Sequence, residues 1–119
     1  SEVPKDMRSN YITSQLIYIT MCYRGEGGEI DLNNARIFSK KVAEIEVGEV
    51  PQEAKGIYIR AQFNYAFMCQ HGEGGKVDLG EAKIYYKKIA ELKKEKLSKL
   101  LKKIVRASQN SLSALNTTI

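Results

Sequence analysis

Apolar residues recur along this chain at intervals of three and four, and no segment alternates strictly between apolar and polar. That period belongs to amphipathic helices and not to half-buried strands. In residues 51–70 the spaced positions are Ala54, Ile57, Tyr58, Ala61, Tyr65 and Met68. Residues 4–23 carry a matching stripe of Met7, Tyr11, Ser14, Tyr18 and Met21, with Ile12 and Ile19 beside it. Shorter stripes follow each one: Leu32, Ala35, Phe38, Val42 and Ile45, then Leu79, Ala82, Tyr85, Ile89 and Leu92. A last stripe runs through Leu97, Leu101, Ile104, Ser108, Leu112 and Leu115, widened by Leu100 and Val105. The pattern predicts an all-α chain with helices over about 4–23, 31–46, 51–70, 79–92 and 94–116. Residues 93–96 contain no Gly or Pro, which allows the last two helices to fuse.

The residues between the stripes agree. Pro4 and Pro51 suit a helix's first turn, and Asp6 and Glu53 add favourable negative charge at the same end. Gly25 and Gly72 follow the long stripes, where a left-handed residue ends a helix. Asp31 and Asp78 precede the short stripes and read as N-caps.

The stripes belong to a repeat. A shift of 47 residues aligns 2–45 with 49–92, and 21 of 44 positions are identical. Ordinary amino-acid usage gives about one identity in fifteen to twenty by chance. Glu2-Val3-Pro4 falls on Glu49-Val50-Pro51, Met21-Cys22 on Met68-Cys69, and Gly25-Glu26-Gly27-Gly28 on Gly72-Glu73-Gly74-Gly75. The organisation predicted is one domain over 1–119: a first repeat over about 2–48, a second over about 49–93, and a C-terminal amphipathic basic helix over about 94–116. Two repeats are short for a stack, so that helix is expected to cap the open core.

The segment Ala61 to Leu92, AQFNYAFMCQHGEGGKVDLGEAKIYYKKIAEL, resembles a Sel1-like repeat, a relative of the tetratricopeptide repeat. The shared features are a small-residue helix, a Gly-x-Gly turn, an Asp, an Ala four residues later, an aromatic pair and a Lys-Lys-x-Ala close. Ser14 to Ile45 follows the same order. Tyr18-Ile19 and Tyr65-Ala66 stand where the family carries Leu-Gly, Gly28 and Gly75 replace a valine, and Val42 and Ile89 replace an alanine. The bulkier residues imply a wider helix crossing than the family's. The resemblance implies a TPR-like, protein-binding module of bacterial origin, acting in the bacterial cytoplasm or translocated into a host cell. It further implies a regulator or inhibitor of one partner enzyme, a pathogen effector such as a ubiquitin deamidase included.

Charge sharpens one part of this picture. Residues 93–119 carry seven Lys/Arg against one acid, whereas residues 1–92 carry twelve against thirteen. The net charge of +5 therefore belongs to the last helix. Its Lys99, Lys102, Lys103 and Arg106 are candidate partner-binding residues, together with Tyr23 and Tyr86, which the pattern allows to face outward. An acidic protein surface is the favoured partner. The alternative is an anionic ligand, nucleic acid or a lipid surface. Both are disfavoured because residues 93–119 contain no aromatic side chain. Repulsion between two such helices is screened beyond about 8 Å at physiological salt, so the apolar stripe 97–115 also predicts a homodimer.

Candidate chemistry is sparse. Two cysteines, one histidine and no tryptophan leave little for a metal site or a nucleophile–base pair, and no enzyme activity, cofactor or metal is expected. Cys22 and Cys69 hold equivalent places. Equivalent sites in neighbouring repeats lie about 8–10 Å apart, beyond the roughly 7 Å limit for a disulfide, so both are expected as packing residues. His71 is expected as a helix C-terminal residue. The GEGG segments follow helices and lack a Walker lysine, so they are expected as turns and not as phosphate cradles. Residues 1–6 are polar with no apolar run behind them, so no signal segment is expected.

Overall fold

The computed structural model describes residues 7–25, 29–93 and 97–118, and among them there are helices and turns but no strand. Five α-helices follow in order: α1 (Arg8–Arg24), α2 (Leu32–Ala43), α3 (Lys55–His71), α4 (Leu79–Ala90) and α5 (Lys99–Thr118). Single 3-10 turns at Val47–Glu49 and Gln52–Ala54 lead into α3. Pro51 thus opens a 3-10 turn, and the α-helix starts at Lys55, later than the stripe predicted. Pro4 and Asp6 lie outside the described residues. The last two helices are separate, as the stripes predict, and the fusion that residues 93–96 would allow does not occur, since α4 stops at Ala90 and α5 begins at Lys99. Ser98 caps the start of α5: its Oγ accepts from the Leu101 amide at 3.3 Å.

Helix ends follow the capping residues. Gly25 and Gly72 adopt φ of 76° and 71°, closing α1 and α3 with left-handed caps. Asp31 Oδ1 accepts from the Asn34 amide at 3.0 Å, and Asp78 Oδ1 accepts from the Glu81 amide at 3.1 Å. Each aspartate also donates its own amide to a cysteine carbonyl, Asp31 to Cys22 and Asp78 to Cys69. The two aspartates are therefore held alike.

The helices stack in sequence, α1 on α2, α2 on α3, α3 on α4 and α4 on α5, with further contact of α1 and α5 on α3. Inside each repeat an edge-to-face aromatic pair joins the two helices: Tyr18 with Phe38 at 4.9 Å, Tyr65 with Tyr85 at 5.3 Å. Lys41 lies over Phe38 and Lys88 over Tyr85, which gives the second lysine of each Lys-Lys pair a packing role.

The core runs through Ile12, Ile19, Ala35, Val42, Tyr58, Ala61 and Met68, then through Ala66, Cys69, Ala82, Tyr86 and Leu115. Here the first repeat departs from expectation. Its stripe of Met7, Ser14, Tyr18 and Met21 faces outward, with Tyr11 half-buried, and Ile12, Ile19 and Cys22 carry the core instead. The cause is position in the stack. The α3 stripe is covered by α2, whereas no helix of the described chain precedes α1.

Candidate interaction surfaces

The predicted partner residues separate. Lys99, Lys102, Lys103 and Arg106 are all exposed on α5 at spacings of three and four, so the structure brings them onto one stripe. Tyr86 requires a correction: it is 0% exposed, donates its hydroxyl to Gln70 Oε1 at 2.7 Å and packs edge-to-face on Phe63. It faces inward because α5 closes over α4, which the hydrophobic period of α4 alone does not reveal. The Tyr23 side chain lies outside the described residues.

Cys22 and Cys69 are free and buried. Burial pushes the Cys69 thiol above its usual range, which suits a packing residue and not a nucleophile. His71 ends α3, exposed, with its ring 4.2 Å from that of Phe67. No cluster of potential metal ligands occurs among the described residues.

The second glycine turn proves to be a latch between repeats. Arg36 Nη1 donates to the Glu73 carbonyl at 3.3 Å, and Asn33 Nδ2 donates to the Gly74 carbonyl at 3.4 Å. Gly74, at φ 73°, lies so close to α2 that a Cβ there would sit 2.1 Å from the Leu32 carbonyl oxygen. The equivalent turn, residues 26–28, lies outside the described residues.

At the other end of each junction, side chains of a first helix meet the C-terminal carbonyls of the second helix before it. Tyr58 donates its hydroxyl to the Ile45 carbonyl at 2.5 Å, and Gln62 Nε2 donates to the Ala43 carbonyl at 3.4 Å. Gln109 Nε2 donates to the Ala90 carbonyl at 3.3 Å. Gln109 and Ala90 each lie 47 residues after Gln62 and Ala43. α5 therefore sits on α4 as α3 sits on α2, in the register of a third repeat's first helix. Its buried positions Val105, Ser108 and Leu115 are the counterparts of Tyr58, Ala61 and Met68.

This register exposes an asymmetry between the two ends. On α3, the side chains Ile59, Phe63, Ala66 and Cys69 pack in the cores that α4 completes. Their counterparts on α5 are Arg106, Asn110, Ser113 and Asn116, all polar and exposed. The C-terminal end is thus closed by a polar face. At the other end Met7, Ile17, Tyr18 and Met21 are 54%, 57%, 41% and 39% exposed. The α5 stripe 101–115 is meanwhile spent on the chain's own stack, and Leu100 is the large hydrophobic it leaves exposed.

Fold and surfaces define a stack of helical hairpins with one polar and one apolar end. Comparison of the chain with protein-family models, with curated proteins and with solved structures gives no match. No helix among the described residues is long and apolar enough to cross a membrane.

Proposed function

We propose that the protein is a non-enzymatic protein-binding module of the Sel1-like kind, regulating or inhibiting one partner enzyme. The observation that carries this reading is the apolar end of the stack. Three large hydrophobic side chains of α1, Ile17, Tyr18 and Met21, stand exposed, with Met7 exposed at its N-cap. The sequence between Arg8 and Arg24 contains no charged residue at all. A helix with fifteen consecutive uncharged residues between its terminal arginines belongs in an interface and not against water. The resemblance adds the bacterial setting and the enzyme partner, a ubiquitin deamidase of a pathogen being one candidate. The basic stripe Lys99, Lys102, Lys103 and Arg106 supports a second contact with an acidic part of the same partner. In the alternative reading the same stripe binds nucleic acid or an anionic lipid surface.

Capture of partners from a bacterial host lysate, with three forms of the chain, tests this. Tyr18→Glu with Met21→Glu should abolish capture of a discrete enzyme. Charge reversal of the four basic residues should mainly slow association and raise its salt sensitivity. Loss of binding to RNA or to anionic vesicles on charge reversal, with the α1 variant unaffected everywhere, would favour the alternative.

A further inference from the structure

Resting on that reading, we infer what the apolar end of α1 receives: an amphipathic helix of another protein, built like α2 and docked antiparallel to α1. The chain contains its own template for this contact. On α3 the side chains Tyr58, Gln62, Tyr65 and Met68 lie in the junction with α2. α1 carries Tyr11, Gln15, Tyr18 and Met21 at the four corresponding positions, identical in each case. Met68 is 0% and Tyr65 3% exposed beneath their covering helix, whereas Met21 and Tyr18 are open.

A polar group points the same way. Gln62 and Gln109 each donate to the last-turn carbonyl of a covering helix. Gln15 holds the third equivalent place, and its Oε1 is buried without a hydrogen-bond partner among the described residues. A helix carbonyl cannot satisfy that oxygen, which only accepts; the group that a covering helix's last-turn carbonyl engages is the glutamine Nε2, as at Gln62 and Gln109. The occupant's direction follows from the template. α2 ends beside Tyr58 and Gln62 and begins beside Gly74, at the far end of α3. A helix on α1 would likewise end at Gln15 and begin near Gly25.

The occupant's chemistry follows too. α2 presents Ala35, Ser39, Val42 and Ala43 as its buried residues, small ones among them that let the backbones approach. Its last-turn Lys40 and the following Glu44 stay in solvent. A partner helix therefore needs a small, uncharged stripe, free last-turn carbonyls and charges confined to its outer side. A second copy of this chain is poorly suited to supply it, because its own α2 and α4 are already covered by α3 and α5.

The test uses the full 119-residue chain and a labelled synthetic peptide of residues 29–46, locked as a helix by a lactam between Lys40 and Glu44. Both bridged side chains are exposed in the template junction. Saturable binding is expected, with affinity reduced about tenfold or more by Tyr18→Glu and about fivefold by Gln15→Met, which removes one hydrogen bond at nearly constant volume. Methyl NMR signals of Met7 and Met21 should shift on binding. No saturable binding up to millimolar peptide, or binding untouched by Tyr18→Glu, overturns the inference. So does a chain that is already dimeric by light scattering and becomes monomeric on Tyr18→Glu, since the occupant is then a second copy. If enzyme capture depends on Tyr18 while the peptide fails to bind, the binding-module reading stands and only the helical occupant falls.

Discussion

Gly74→Ala tests the latch that holds the two repeats together. Gly74 adopts φ 73°, where an alanine is disfavoured by about 1–2 kcal/mol. The added Cβ would stand 2.1 Å from the Leu32 carbonyl oxygen and 2.7 Å from its carbon, both backbone atoms of the first turn of α2. No rotamer relieves such a contact, so the loop must withdraw by nearly an ångström. The hydrogen bonds from Arg36 to Glu73 and from Asn33 to Gly74 are already 3.3 and 3.4 Å long and would break. Being partly solvated, they add about 0.5–1 kcal/mol each. The expected loss is about 2–4 kcal/mol, read as a lower midpoint in urea unfolding with unchanged m-value. Gly74→Asn separates the two causes, since asparagine tolerates the left-handed region but still carries a Cβ. It should recover only part of the loss. At Gly72, φ 71°, the nearest atom is the Val77 side chain at 3.0 Å, so Gly72→Asn should cost little. Gly48 has open space around it and provides a neutral control. Gly74→Ala costing under about 1 kcal/mol, or Gly74→Asn matching the unmodified chain, would refute the close approach of loop and helix.

Other outcomes are equally specific. Burial pushes the Tyr58 hydroxyl up to about 12 from its ordinary 10, because the ionised form is penalised. The folded state thus holds this proton more tightly than the unfolded chain, and its contribution is complete below pH 10 and lost as pH rises through 12. Alkaline unfolding followed by circular dichroism should therefore be steep over that interval, and shallower in Tyr58→Phe. Cys22→Ser with Cys69→Ser should stay folded, losing about 1–3 kcal/mol, mostly from the fully buried Cys69, and its electrophoretic mobility should not respond to oxidant. Leu112→Glu should lower the melting temperature, because Leu112 packs against the core that holds Tyr65, Tyr85 and Tyr86; a change in oligomeric mass with unaltered stability would contradict that placement.

The helical period, the 47-residue repeat and the caps make the all-α architecture legible in the sequence. The short-range signals were strong: Gly25, Gly72, Asp31 and Asp78 act where their chemistry requires. What escaped was the relation of each helix to its neighbours. A stripe such as Met7, Ser14, Tyr18 and Met21 has the same period whether or not a helix covers it, so the period cannot tell an inner junction from an open end. Tyr86 departs from the pattern for the opposite reason, since two faces of α4 are buried once α5 lies over it. The register of α5 was legible in principle: Gln15, Gln62 and Gln109 recur at intervals of 47. Only three residues of Lys102–Thr118 match α3, however, at Lys102, Ile104 and Gln109. A helix that gains a polar outer face must lose the identities that would mark it as a repeat.

That loss carries a last prediction. If α5 is a first helix whose outer face has been made polar, restoring the apolar residues of α3 should reopen the end. The change is Arg106→Ile, Asn110→Phe and Ser113→Ala, all at exposed positions. None removes a contact that holds α5 on α4, since Val105, Ser108, Gln109 and Leu115 are untouched. The variant should fold with near-normal melting temperature. Contact between two reopened ends buries one new Ile and one new Phe from each, worth about 6–12 kcal/mol, against an association cost of at least about 4 kcal/mol. A surplus of about 4 kcal/mol corresponds to a millimolar dissociation constant, so contact between two reopened ends should be weak, seen by light scattering near millimolar chain and absent at micromolar. A separate helix tethered behind Thr118, with the sequence of residues 76–92, avoids most of that cost and should raise the melting temperature of the variant. The same tether on the unmodified chain should do nothing, because Arg106 and Asn110 would be desolvated without partners. Equal stabilisation of both chains would mean that the outer face of α5 does not correspond to that of α3, and the third-repeat register would fall with it.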